Sequence, residues 1–299
     1  MRRWRACGIS WVVVMTEAYE GRYYKTADGL RLYYRDYAGP SDKVPVLCLP
    51  GLTRNSRDFA ALAEWLSEER RVICPEFRGR GKSDYDPDWR NYHPAQYATD
   101  TWGLLDELAI DRVALIGTSL GGWMAMLMSY QQRGRIVAAV MNDIGPEANP
   151  EGIVRVTAGA GRLDKVATFE EAIAQVKINY DIAFPDWNDE QWRTYTETTY
   201  RPTDDGGFDL NFDRNIGHAA REGVSGLTVE PWDLFDSLRN VPTLVIHGEL
   251  SDILTEDIIL RMQQRKPDLQ VAAVNNRGHA PLLDEKEAVD AIATFIQAL

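Results

Sequence analysis

The sequence predicts an α/β fold: a parallel sheet covered by helices on both faces, with a helical insertion between two of its strands. Three observations predict it. Short unbroken apolar runs recur along the chain, amphipathic helical stretches alternate with them, and the alternation stops near Gly145 and resumes near Val241. A strand buried on both faces of a parallel sheet reads as a continuous apolar run, because both of its side-chain rows meet packed helices.

The elements follow in order. Residues 22–26 and 30–37 read as two strands joined at Asp28-Gly29, a dipeptide that favours a tight hairpin turn. Then come a strand at 44–50, a helix at 57–69, a strand at 71–77, a helix at 93–110, a strand at 112–117, a helix at 120–132 and a strand at 136–143. After the break the pattern continues with a strand at 241–248, a helix at 255–265, a strand at 269–275 and a final helix at 284–298. Residues 20–144 and 231–299 therefore form the core domain, and 145–230 form a helical cap rich in aromatics. Within the cap, Thr168…Glu171 and Asn188…Gln191 have the spacing of capping boxes, and 201–209 reads as a loop. Residues 1–19 are expected to be a disordered extension. The stretch MRRWRACGISWVVVM imitates a secretory signal, but Gly8 and Ser10 interrupt it, and Met15 begins a more natural opening.

Composition narrows the function. A net charge of −12 repels a phosphate backbone, so nucleic acid is not an expected partner. No run approaches the roughly 20 apolar residues that span a bilayer, so no membrane partner is expected either. The 3 cysteines include Cys48 and Cys74 inside apolar runs, which suits a reducing, cytoplasmic setting. Histidines and cysteines never cluster, so no metal site or cofactor is expected. The glycines of RGRGKS have the wrong lysine spacing for a phosphate loop. A homo-oligomer stays open.

The chemistry centres on Gly117-Thr118-Ser119-Leu120-Gly121, a G-x-S-x-G between a predicted strand and a predicted helix. A serine on so sharp a turn needs glycine on both sides, where neighbouring backbone passes close. The turn lifts the hydroxyl above the sheet edge and sets it beside a helix N-terminus. Serine needs a base to become a nucleophile. Of the 4 histidines, His279 alone lies in a loop after the last strand, whereas His93, His218 and His247 read as structural. The imidazole in turn needs an acid to hold its tautomer. Asp252 and Asp143 both follow strands. Asp252 is preferred, because its loop has reach, whereas Ile144-Gly145-Pro146 commits the chain after Asp143 to leave for the cap.

With these residues in hand, the sequence resembles the α/β-hydrolase superfamily over about residues 20–299. LPGLTRNSRDF at 49–59 occupies the place of the family's oxyanion loop, and PEFRGRGKSD at 75–84 resembles its D-x-R-G-x-G-x-S loop, with Glu76 in place of aspartate. The resemblance implies a mostly parallel eight-stranded sheet, and an oxyanion hole made by the N–H groups of Leu52 and Leu120. It also implies that Cys48 and Cys74 lie side by side as free thiols. A serine nucleophile implies acyl transfer: cleavage of a small or medium carboxylic ester or a lactone through an acyl-enzyme. The alternatives are carbon–carbon hydrolysis of a diketone or dienone acid, a cofactor-free haloperoxidase or perhydrolase activity, and a ligand receptor with a slow triad. Arg54, Trp187, Trp192 and Tyr195 are candidates to touch substrate.

Overall fold

The computed structural model describes residues 18–299, so the extension at 1–19, with Cys7 and Met15, falls almost wholly outside the described residues. Ten strands follow in chain order: β1 Glu20–Lys25, β2 Arg31–Tyr37, β3 Val46–Leu49, β4 Val72–Pro75, β5 Val113–Thr118, β6 Ile136–Asn142, β7 Tyr200–Pro202, β8 Phe208–Leu210, β9 Thr243–Gly248 and β10 Gln270–Val274. The helices are α1 Ala60–Ser67, α2 Pro94–Glu107, α3 Leu120–Gln131, α4 Pro150–Gly159, α5 Phe169–Tyr180, α6 Asp189–Thr199, α7 Asn215–Arg221, α8 Pro231–Asp236, α9 Glu256–Arg265 and α10 Lys286–Gln297.

Eight strands make one sheet in the order β1-β2-β4-β3-β5-β6-β9-β10. β1 and β2 pair antiparallel around the Asp28-Gly29 turn, with Gly29 at φ 94°, and β2 pairs antiparallel with β4. The remaining neighbours are parallel. Side chains alternate between two apolar layers, as the period of a strand requires. Leu47, Leu49, Leu115 and Met141 pack on the side of α2 and α3. Val46, Cys48, Ala114, Ile116 and Val140 pack on the other, against Leu62 and Leu66 of α1 and Ile292, Phe295 and Ile296 of α10. Each fully buried Leu, Ile or Val contributes about 1.5–3 kcal/mol, which is why these short runs dictate strands so firmly. Cys48 and Cys74 are both buried and free, and burial pushes the Cys48 thiol well up.

Between β6 and β9 the chain runs through α4–α8 and the β7–β8 hairpin. Both expected capping boxes are present, at Thr168 with Glu171 and at Asn188 with Gln191. The stretch read as a loop at 201–209 is instead most of that hairpin, pairing Tyr200 with Leu210 and Pro202 with Phe208. Its polar Thr203–Gly207 segment is only the turn, closed by the Thr203 N–H donating to Gly207 O at 2.8 Å. Among the described residues no helix is long and apolar enough to cross a membrane.

The parallel strands all end at one edge, so the segments after β3, β5, β6, β9 and β10 gather there. Those segments carry Leu52, Ser119, Asp143, Asp252 and His279.

Candidate active site

Ser119 occupies the turn between β5 and α3 with φ 52° and ψ −113°. Such backbone costs a residue with a side chain about 1–3 kcal/mol, and surrounding packing has to hold it. The flanking glycines supply the room. A Cβ on Gly117 would stand 2.1 Å from the Gly121 carbonyl carbon, and one on Gly121 would stand 2.0 Å from Leu49 O. The Ser119 N–H donates to Asn142 O at 2.9 Å, which ties the turn to the end of β6. Leu120 opens α3. Its N–H is among those a helix start leaves without an intrahelical partner, at the positive end of the helix dipole.

His279 lies between β10 and α10. Its Nε2 is 2.8 Å from Ser119 Oγ, and its Nδ1 is 2.8 Å from Asp143 Oδ2. The neutral tautomer that satisfies both contacts carries its proton on Nδ1 and accepts from the serine on Nε2. Asn142 steadies the histidine loop by donating to Pro281 O at 2.7 Å.

The structure corrects the choice of acid: Asp143, not Asp252, lies against the imidazole. Asp143 follows β6 at once, with φ 56°, and is fully buried. That left-handed turn sends the main chain away while the carboxylate stays at the sheet edge, so departure of the chain and reach of the side chain are compatible. Ser251 Oγ donates to Oδ2 at 2.6 Å and the Gly248 N–H to Oδ1 at 3.0 Å, while His247 Nδ1 stands 3.4 Å from Oδ1. Burial raises the cost of the charge, but the contacts with His247, His279 and Ser251 outweigh it and hold the carboxyl below the usual carboxylate range.

Asp252 is committed elsewhere. Both its oxygens accept from Arg155 of α4, Oδ2 from Nε at 2.5 Å and Oδ1 from Nη2 at 2.7 Å. The loop is fastened to the same helix, for Asn149 donates through Nδ2 to Asp252 O at 3.1 Å and through its N–H to Ile253 O at 2.9 Å. The Arg155 guanidinium holds the Asp252 carboxyl below its ordinary value against partial burial.

Ser119 and His279 line a cavity of about 140 Å³ together with Gly51, Leu52, Arg54, Asp58, Arg155, Tyr180 and Tyr195. Of the four expected substrate contacts, Arg54 and Tyr195 reach this cavity. Trp192 does not, being 2% exposed, and Trp187 stacks on Phe184 at 3.7 Å and packs edge-on to Trp192 and Tyr195. Trp192 is core of the insertion behind Tyr195, and Trp187 packs against it half-buried. Arg54 is itself buried, with Nε and Nη2 bonded to Asp58 at 2.7 Å, Nη1 to Thr199 and Nη2 to Thr198, and its guanidinium 3.9 Å from the Tyr195 ring centre.

Two arginines of the 75–84 segment brace the site. Arg80, fully buried, donates from Nε and Nη2 to Leu52 O at 3.0 and 2.8 Å and so pins the segment after β3. Arg78 pairs with Asp28, Asp86 and Asp100, joining the β1–β2 turn to α2. Glu76, in the place of the family's aspartate, accepts from Ser56 Oγ at 2.7 Å and the Lys82 N–H at 2.6 Å.

A family model for the alpha/beta hydrolase fold matches residues 44–286. The chain belongs to the alpha/beta hydrolase family. This hydrolase is 30% identical over 258 residues to the 3-hydroxybutyrate-oligomer hydrolase of Cupriavidus necator, across 84% of this chain and 87% of that relative. It is 27% identical over 227 residues to a 2-hydroxymuconate semialdehyde hydrolase of Pseudomonas putida, across 74% of each. The crystal structure of an alpha/beta hydrolase from Novosphingobium aromaticivorans matches it with a TM-score of 0.89 at 40% identity, across 95% of this chain and 100% of that one.

Sequence reasoning missed Ser251, His247, Arg80 and Arg155. Ser251 donates to Oδ2 of Asp143, the oxygen that also faces His279, and His247 stands beside Oδ1; only the pairing of β6 with β9 brings them there. Arg80 sat in view between Gly79 and Gly81, but nothing local shows that its guanidinium turns toward Leu52.

Proposed function

We propose that this hydrolase cleaves a small carboxylic ester or a lactone through an acyl-enzyme. Ser119 attacks the carbonyl carbon while His279 takes its proton at Nε2, and Asp143 stabilises the imidazolium that forms. The N–H groups of Leu52 and Leu120 receive the oxyanion and lower the barrier by several kcal/mol. His279 then returns the proton to the leaving oxygen, and a water deprotonated by the same imidazole releases the acid. Asp143 takes the role first expected of Asp252.

The observation that carries this reading is the continuous contact Ser119–His279–Asp143, at 2.8 Å and 2.8 Å, opening on a cavity. A cavity of about 140 Å³ favours a short acyl group. The insertion, as a cap over the sheet edge, supplies that limit through Arg155, Tyr180 and Tyr195. An oligomer of a hydroxy acid, named as the substrate of the Cupriavidus necator relative, is joined by ester bonds and agrees with this chemistry.

A second reading, carbon–carbon hydrolysis of a dienone acid, is favoured by the name of the Pseudomonas putida relative. Steady-state rates separate the two. With 4-nitrophenyl esters of rising chain length, a δ-lactone and a dienone acid, kcat/KM should be highest for a short ester or the lactone and fall by orders of magnitude in Ser119→Ala. Turnover of the dienone acid with inert esters would overturn the ester reading.

A further inference from the structure

Two guanidiniums face the cavity, and they differ in one respect. All three nitrogens of Arg54 already donate to Asp58, Thr198 or Thr199. Arg155 spends only Nε and Nη2, both on Asp252, and its Nη1 donates to no partner among the described residues. Asp252 grips the guanidinium along one edge and does not line the cavity, whereas Arg155 does. Arg155 thus stands in the cavity wall with Nη1 unspent, while its counter-charge, Asp252, lies outside the lining. A guanidinium fixed bidentately on one edge is pre-oriented to offer parallel N–H groups on the next to a second carboxylate. Asp58, the acidic side chain in the lining, is itself held by Arg54. In a chain of net charge −12, an anionic substrate gains nothing from the mean field and needs such a local cation.

We infer that Arg155, held by Asp252, is an anion subsite that selects esters whose acyl chain ends in a carboxylate, such as half-esters of short dicarboxylic acids. This rests on the reading of Ser119 as nucleophile for the same cavity. It also assigns Asp252 a purpose: the carboxylate orients the arginine that recognises substrate. Arg155 is a specificity-determining residue of the insertion, and the reaction class that supplies such a substrate is one that leaves a free carboxyl next to an ester, for example partial cleavage of a polyester or of a diester.

The test compares two esters with one leaving group, 4-nitrophenyl hydrogen glutarate and 4-nitrophenyl pentanoate. The ratio of their kcat/KM values should fall at least tenfold in Arg155→Gln. It should stay low in the double variant Arg155→Gln/Asp252→Asn, which removes the stranded carboxylate as a cause. Added sodium chloride should shrink the wild-type ratio. Glutarate, which has no bond to cleave, is titrated calorimetrically into the same proteins and should bind the wild type but not Arg155→Gln. A ratio that Arg155→Gln does not move, or that the double variant restores, overturns the subsite. Glutarate binding that depends on Arg155, in a protein that turns over neither ester, would support the subsite and sink the ester reading. Ester turnover without glutarate binding or carboxylate preference would do the reverse.

Discussion

Replacing Asp143 by asparagine removes the charge that faces His279 and offers an amide in its place. The present carboxylate accepts the Nδ1–H hydrogen bond at 2.8 Å, with Ser251 and the Gly248 N–H holding its oxygens. An amide whose carbonyl oxygen stays with the Gly248 N–H puts its NH₂ in the place of Oδ2, facing both the ring and Ser251 Oγ, and the ring answers by accepting on Nδ1 and carrying its proton on Nε2. That tautomer cannot take the serine proton. The loss expected for a wrong tautomer in a serine triad is about 10⁴ in kcat, or roughly 5.4 kcal/mol of barrier at 1.36 kcal/mol per decade. Asp252→Asn breaks a pair whose side chains are 30% and 32% exposed, so solvent screening limits its stability cost to about 1 kcal/mol, and its effect on ester turnover should stay within about tenfold. The assay is steady-state hydrolysis of a short 4-nitrophenyl ester, with thermal melting and fluorophosphonate titration to count folded, competent sites. A deeper loss in Asp252→Asn than in Asp143→Asn, at equal folded fraction, would refute the assignment of the acid.

Arg80→Gln should lower kcat by about ten- to a hundredfold with little change in KM, because the Leu52 segment loses its anchor and the oxyanion donor its position; an equal rise in KM would argue for a binding role. Arg78→Met should cost about 3–5 kcal/mol of unfolding free energy by urea titration, since it strands the buried carboxylates of Asp86 and Asp100; a neutral result would mean that these groups protonate or hydrate at no cost. Because the folded pKa values of Asp143 and Asp252 lie below their ordinary ones, the stability they contribute is full above about pH 4 and is lost as pH falls through the lowered values. Urea midpoints measured between pH 7 and pH 2.5 should therefore hold steady and then fall, and the deficit of Asp252→Asn relative to wild type should narrow toward the acid end.

The sheet was legible because β3, β5 and β6 are buried on both faces, and a strand in that position has no polar row to confuse the reading. Ser119 was legible because its turn is a local demand, met by Gly117 and Gly121 inside five residues. His279 followed by elimination among four histidines. The acid was different. The contact of Asp143 with His279 goes with a positive φ at Asp143 and with Ser251, which follows the strand next door, and neither is written in the residues around Asp143. Asp252 looked free because its partner, Arg155, lies 97 residues away on α4. The aromatics of the insertion misled for a related reason: Trp187, Trp192 and Tyr195 share one helical region, but packing sends only the tyrosine to the cavity. The hairpin at 200–210 was hidden by its polar turn, which outweighs two three-residue strands in any local reading.

The central claim is that Ser119 becomes acylated, and mass spectrometry addresses it directly. The protein is mixed with a slowly released ester, quenched in acid within a turnover, and weighed intact before peptide mapping. The account predicts one added acyl mass, carried by the peptide containing Ser119, that decays at the rate of steady-state turnover and is absent from Ser119→Ala. Ester turnover that persists in Ser119→Ala, or an acyl mass mapped to another residue, would contradict it.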